Sequence, residues 1–138
     1  MKVVLEGLGA ALLLFVAFTW WALESSGVAV LETRAPDGSP RSTHVWFAEA
    51  GGELWLEAGA PENGWYRDVQ KDPRVSFSAN GRSANYVAQP HEGPDAHVEI
   101  RALLREKYGV RDGWVALLFD TSRSVAVRLV PTPETDRR

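Results

Sequence analysis

The chain opens on an apolar run and then changes period. Gly7 to Leu23 is 17 residues without a charge, and Glu6 alone interrupts the longer stretch from Val3 to Leu23. At about 1.5 Å per residue the shorter run spans roughly 25 Å as a helix and the longer roughly 31 Å, against a hydrocarbon core of ~30 Å. Trp20 and Trp21 stand at the far end, where indoles favour the headgroup level, and Glu24-Ser25-Ser26-Gly27 stops the pattern. The expectation is a transmembrane helix over residues 3–23, making residues 1–24 a single-pass membrane anchor with the side of the membrane undecided. A cleavable signal peptide is the alternative. Against it, Lys2 and the terminal amine would be its whole basic region, and no clear A-x-A site follows. A helix buried in the protein's own core is the third reading, and a run apolar on every face argues against that.

After Gly27 the pattern is one of short strands. Val28–Thr33 is one, closed by the turn signal Ala35-Pro36-Asp37-Gly38. Thr43–Ala48 is a second, and Gly51-Gly52 leads into Glu53–Ala58, where Leu54 and Leu56 alternate with polar or amphipathic neighbours. Gly59 to Gly64 reads as a loop and Trp65–Lys71 as a short helix ending before Asp72-Pro73. Arg74–Ala79 and Arg82–Ala88 form a hairpin across Asn80-Gly81, a favoured type I′ pair. Asp95 is the expected N-cap of a helix running to Tyr108, with Val98, Ala102 and Leu103 on one face and Gly109 as its stop. Gly113–Phe119 is apolar but of either type. Ser124–Val130 is a last strand, and the tail from Pro131 should fray.

Six strands with one or two helices are too strand-rich for a parallel sheet. A small antiparallel barrel removes the exposed edges. The expected class is mainly β (α+β): a split antiparallel barrel over residues 25–131, the N-terminal transmembrane helix before it and a flexible tail over 132–138. Composition agrees with one domain. The chain has 138 residues, 45% hydrophobic and 24% charged, and its mean hydropathy of -0.19 conceals the division between greasy segment and polar domain.

Charge and cysteine counts remove several functions. A net charge of -3 with no basic run lacks the clustered cations that nucleic acid requires, so no nucleic-acid partner is expected. With no Cys there is no disulfide, thiolate metal site or thiol nucleophile. No Walker loop, GxGxxG, GxSxG or HExxH occurs. His91 and His97, near Glu92 and Asp95, match no ligand spacing, and no metal is expected. His44 and Trp46 alternate with Val45 and Phe47, so if the latter face the core the former offer a wall for a flat ligand. Pro40-Arg41-Ser42-Thr43 combines a guanidinium with two hydroxyls and suits a phosphate. Gly59-Ala60-Pro61-Glu62-Asn63-Gly64-Trp65 enters a helix, whose N-terminus attracts anions. Both segments also read as an ordinary surface arginine and an ordinary capped turn.

The order GSPRSTHVWF, then GGELWLEAG, then a Trp-containing helix ending in KDPRVSF resembles the flavin-binding split β-barrel superfamily (pyridoxamine-phosphate-oxidase-like). Within it the chain is most similar to small deazaflavin-dependent nitroreductase-family proteins. GAPENGWYRDVQKDPRV resembles their loop-and-helix segment, and LREKYG and AVRLVP their helix end and last strand, so the resemblance covers roughly Val28 to Pro131. It implies a deazaflavin (F420) or FMN cofactor that carries the hydride chemistry while the protein supplies position and electrostatics. By the same resemblance Ser42, Thr43, His44, Val45 and Trp46 line the ring, and Gly59, Ala60, Pro61, Asn63 and Trp65 belong to the phosphate loop. The basic GRKSG-like turn of these proteins is replaced here by Thr33–Gly38, and a lysine before the short helix by Asn63-Gly64. Phosphate binding then falls to Arg34, Arg41 and Arg67.

The resemblance singles out no catalytic residue. It implies an oxidoreductase of the nitroreductase or quinone-reductase type, and the anchor adds a lipophilic, quinone-like acceptor drawn from the membrane. A non-catalytic barrel binding a small ligand or protein partner at the membrane, and an FMN-dependent oxidase, stand as alternatives. Related barrels pair as dimers, and Trp55 and Trp114 are the exposed aromatics that would permit a homodimer.

Overall fold

The computed structural model describes residues 2–24 and 27–132, with the side chains of residues 6–22 in the first stretch. Residues 133–138 of the expected tail, and Ser25 and Ser26 of the stop signal, lie outside the described residues. Ten elements follow along the chain: α1 (Lys2–Glu24), β1 (Val28–Arg34), β2 (Pro40–Ala50), β3 (Glu53–Ala58), α2 (Gly64–Lys71), β4 (Arg74–Ala79), β5 (Arg82–His91), α3 (Pro94–Tyr108), α4 (Val110–Leu118) and β6 (Val125–Pro131).

The six strands close a barrel in the order β1-β2-β3-β6-β5-β4, with every pair antiparallel. Alternation decides what points inward. Ala29 and Leu31 from β1, Val45 and Phe47 from β2, Leu56 and Ala58 from β3, Val75 and Phe77 from β4 and Val127 and Leu129 from β6 fill the interior. Trp65, Tyr66 and Val69 of α2 complete that core, and Tyr66 donates its hydroxyl to Glu92 Oε1 at 3.0 Å. Burial, with Glu92 beside it, pushes the Tyr66 phenol up to about 12. Asn80 and Gly81 both take positive φ (51° and 74°), the geometry that the expected hairpin turn requires.

α3 packs on the outside of the barrel, and its buried face corrects the sequence-based one. Ile100, Leu104 and Tyr108 meet Ala48 and Ala126, whereas Val98 is exposed. Ile100, Leu104 and Tyr108 recur every four residues and form one continuous stripe, whereas Val98 and Ala102 are four apart and Leu103 directly follows, and the longer, larger stripe takes the contact. Its N-cap is Gly93, two residues before the expected Asp95, because Pro94 takes the first helical position. The apolar piece at 113–119 resolves as α4, so the domain has three helices rather than one or two. Pro131, expected to fray, pairs with Tyr86 as the last residue of β6.

The expected transmembrane helix is not found: among the described residues no helix is long and apolar enough to cross a membrane. The C-terminal half of α1 instead meets α4. Phe15 and Phe18 pack on Trp114 with centroids 5.5 and 4.9 Å away, and Trp114 Nε1 donates to Thr19 Oγ1 at 3.1 Å. Trp114 is thereby half-buried within the chain. Trp55 is too, against α3 and His91, so neither is the free aromatic that a dimer face was expected to use. Leu8, Leu12, Leu13 and Leu14 of α1 remain exposed.

Candidate functional site

β2 is longer than its partner on one side. Phe47–Ala50 pair with β3, while Pro40–Trp46 pair only with β1. Along that stretch the other edge of β2 faces a cavity of about 430 Å³ in place of a strand, within the ~300–1,000 Å³ usual for small-molecule sites. Seven of the expected residues line it: Arg41, Thr43, His44, Val45 and Trp46 from β2, and Asn63 and Trp65 at the start of α2. Val28, Glu57, Gly64 and Val115 complete the wall.

Six expected residues are elsewhere. Arg34 projects away from the barrel interior that Ala29, Leu31 and Thr33 face. It lines a separate cleft of about 530 Å³ with Asp72 and Arg74, its Nε 3.8 Å from Asp72 Oδ2. Ser42 is exposed, Arg67 lies on the outer face of α2, and Gly59, Ala60 and Pro61 form the loop before it without lining the cavity. His97 is tied to Ser124 Oγ at 3.0 Å, His91 packs edge-on to Trp55, and no metal cluster is present among the described residues.

One end of the cavity places a guanidinium beside a helix N-terminus. Arg41 Nε donates to Asp68 Oδ2 at 2.7 Å, and Thr33 Oγ1 donates to the same oxygen at 2.8 Å. Asp68 is buried in the core-facing side of α2, so the pair fixes the guanidinium from below while Arg41 stays 41% exposed. The guanidinium lies over the first residue of α2, and a Cβ on Gly64 would come within 2.9 Å of Arg41 Nη1. Asn63 is the N-cap residue but makes no side-chain cap, leaving the first-turn N–H groups uncapped by it at the positive end of the helix dipole.

The rest of the lining is flat or apolar. Trp46 stacks on Tyr108 with centroids 4.3 Å apart, and Tyr108 donates to Gly27 O at 2.5 Å, so the indole is held from the α3 side. Glu57 is the acid of the wall, and Arg101 of α3 grips both its oxygens at 3.0 and 2.9 Å. Burial opposes the charge on Arg101, but the carboxylates of Glu57 and Asp112 outweigh it and raise its pKa.

The family model described as F420H(2)-dependent quinone reductase matches residues 19–130, most of the chain. The chain belongs to the F420H2-dependent quinone reductase family. It is thus a deazaflavin-dependent oxidoreductase by family, and its fold agrees. The conserved hypothetical protein Rv2991 of Mycobacterium tuberculosis is 26% identical, with 89% of this chain and 80% of that one covered and a TM-score of 0.60. A structure described as an F420 reductase is 22% identical over 82% and 92% of the two chains, with a TM-score of 0.56. A candidate pyridoxamine 5'-phosphate oxidase from Listeria innocua is 20% identical over 80% and 87%, with a TM-score of 0.53. No curated protein matches the chain.

The cofactor of the F420H2-dependent quinone reductase family is flat at one end and anionic at the other, and the cavity fits that division. Arg41 with the first turn of α2 would take the anionic end, and a Cβ on Gly64 would crowd the guanidinium there. Sequence reasoning found Arg41 and missed the groups that aim it. The signal for Asp68 was available: a carboxylate sharing a helix face with Trp65 and Val69 must be buried, and a buried carboxylate needs a cation.

Proposed function

We propose that this protein passes a hydride from bound, reduced deazaflavin F420 to an electron-poor, lipophilic quinone, working at a membrane surface that α1 contacts. The observation that carries the reading is the cavity beside the open edge of β2, with a braced guanidinium at one end and the indole of Trp46 in its wall. When bound, F420 supplies a two-electron hydride donor. Arg41 and the first-turn N–H groups of Gly64 and Trp65 would hold its phosphate through charge-assisted hydrogen bonds. Thr43, His44, Val45 and Trp46 of β2 would orient the ring, and Trp65, Val28 and Val115 would keep water from it. Glu57 is paired rather than free in the wall, because Arg101 grips both its oxygens.

Lipid contact is supported by α1. Leu8, Leu12, Leu13 and Leu14 are each more than 60% exposed, and water is a poor environment for four neighbouring leucines on one helix. Titration of the full chain with F420 and with FMN, followed by single-turnover oxidation of F420H2 by a short-chain naphthoquinone, tests the chemistry. Saturable F420 binding and quinone-dependent loss of F420H2 absorbance are expected. Binding of FMN in preference to F420, or of neither, overturns the reading.

A further inference from the structure

The wall of the cavity opposite β2 is held by a buried ionic cluster that none of the cofactor-facing residues explains. Arg101 is 8% exposed and donates from Nη1 to both oxygens of Glu57 and from Nη2 to Asp112 Oδ1 at 2.5 Å. Asp112 is fully buried, yet its Oδ2 has no hydrogen-bond partner. The nearest further cation is Arg105, whose Nε is 3.8 Å away, beyond hydrogen-bonding reach. A buried carboxylate oxygen left unsatisfied works against stability, so the cluster is not explained as a source of it.

Its placement points to another role. Glu57 and Val115 both line the cavity, one from β3 and one from α4. Asp112 and Val115 are three residues apart and therefore share a face of α4, while Val110 and Leu117 project to solvent at 76% exposure each. Besides this cluster α4 is held by α1, through Trp114, and by Arg111, whose guanidinium lies over the rings of Tyr108 in α3 and Trp21 in α1. Arg101, on α3, thus ties the β3 wall and the α4 wall to one guanidinium.

We propose that Arg101 is the positioning residue of the cavity, fixing Val115 and α4 against the Glu57 wall and so setting the opening through which the acceptor reaches the ring. This rests on the function proposed above and names the part of the site that admits the acceptor rather than the part that holds the cofactor. Arginine suits the task because its planar fork reaches two carboxylates at once, which a lysine ammonium does not reproduce. Substituting Asp112 loosens the Arg101 link to α4 while leaving Glu57 paired, so the Arg41 end of the cavity is untouched.

The test uses the full chain with Asp112→Asn and Arg101→Lys. Amide hydrogen exchange of the cofactor-free protein is the first readout. Both variants are expected to exchange roughly 10-fold faster across Val110–Leu118, the effect of losing a charge-assisted hydrogen bond, with β1–β6 unchanged. Steady-state kinetics is the second: KM for a short-chain naphthoquinone rises about 5-fold or more while the F420 dissociation constant stays within about 2-fold. Unchanged exchange in α4, acceleration spread over the whole barrel, or a cofactor constant that moves while KM does not would each overturn the proposal. Wild-type protein that neither binds F420 nor reduces the quinone defeats the function reading instead, and the exchange experiment still judges the role of Arg101.

Discussion

Arg41 is aimed by what lies beneath it. Its Nε is committed to Asp68, a carboxylate that Thr33 also holds, so the guanidinium cannot swing away from Gly64 without leaving a buried charge unpaired. Hydrogen bonds to charged groups contribute about 1.5–3 kcal/mol, so Arg41→Ala should weaken F420 binding about 10- to 100-fold in a fluorescence titration. Asp68→Asn should weaken it less, because the guanidinium survives without its brace, and should lower the melting temperature more. A variant that binds F420 as tightly as the wild type would remove Arg41 from the anion end. A second residue effect concerns acid. Arg74, donating at 2.8 and 2.9 Å, holds the Asp72 carboxyl down to about 2, with Arg34 adding attraction. A carboxylate whose folded pKa lies below its unfolded one contributes stability present above about pH 4 and lost as pH falls toward 2. Urea midpoints of wild type and Asp72→Asn should therefore differ at pH 6 and converge near pH 2.

The first turn of α2 turns one glycine into a constraint on the whole cavity. Replacing Gly64 with Ala gains up to about 1 kcal/mol of helix propensity. The new Cβ, however, meets Arg41 Nη1 at 2.9 Å and Cζ at 3.1 Å. We expect the steric term to win: Gly64→Ala displaces the guanidinium from Asp68 and lowers F420 affinity several-fold, read by the same titration. An unchanged affinity would mean that Arg41 has room to move. This contact also marks where the sequence stops being legible. Strand periodicity, the Asn80-Gly81 hairpin and the short helix after Gly64 follow local rules, and they place β1 to β6 and α2 close to where they lie. Arg41 could be picked out because a guanidinium suits an anion, and Asn63 and Trp65 because their segment leads into a helix N-terminus. Arg34 and Arg67 were picked on the same grounds and lie elsewhere, since a cation's type says nothing about which side of a strand or helix it takes. Val115, Glu57 and Arg101 were not legible at all. They enter the site only because α3 and α4 fold back over β3, a tertiary event without a local pattern.

At the scale of the whole protein, α1 and α4 join the apolar surface to the cavity. Trp114 of α4 packs on Phe15 and Phe18 of α1, and the next residue, Val115, lines the cavity wall. A lipid-dissolved quinone leaving a bilayer along α1 would therefore meet the opening without first crossing water. Each of these exposed leucines contributes roughly 1.5–3 kcal/mol when moved from water into an apolar phase, so two of them account for most of a measurable affinity for vesicles. Leu12 and Leu13 are 63% and 72% exposed and do not line the cavity, which makes Leu12→Glu with Leu13→Glu a substitution the fold should tolerate. Full-length wild type should float with lipid vesicles on a density gradient, and the double variant should stay at the bottom. Both should oxidise F420H2 at the same rate with a short-chain quinone in solution. With a long-chain quinone dissolved in the vesicles, the variant should fall about 10-fold or more behind, since a loss of 1.4 kcal/mol of attachment already divides the bound fraction by ten. A variant that floats as well as the wild type would detach α1 from the membrane reading. One that loses activity with the soluble quinone too would show that α1 supports the cavity itself through Trp114 rather than delivering it to the acceptor.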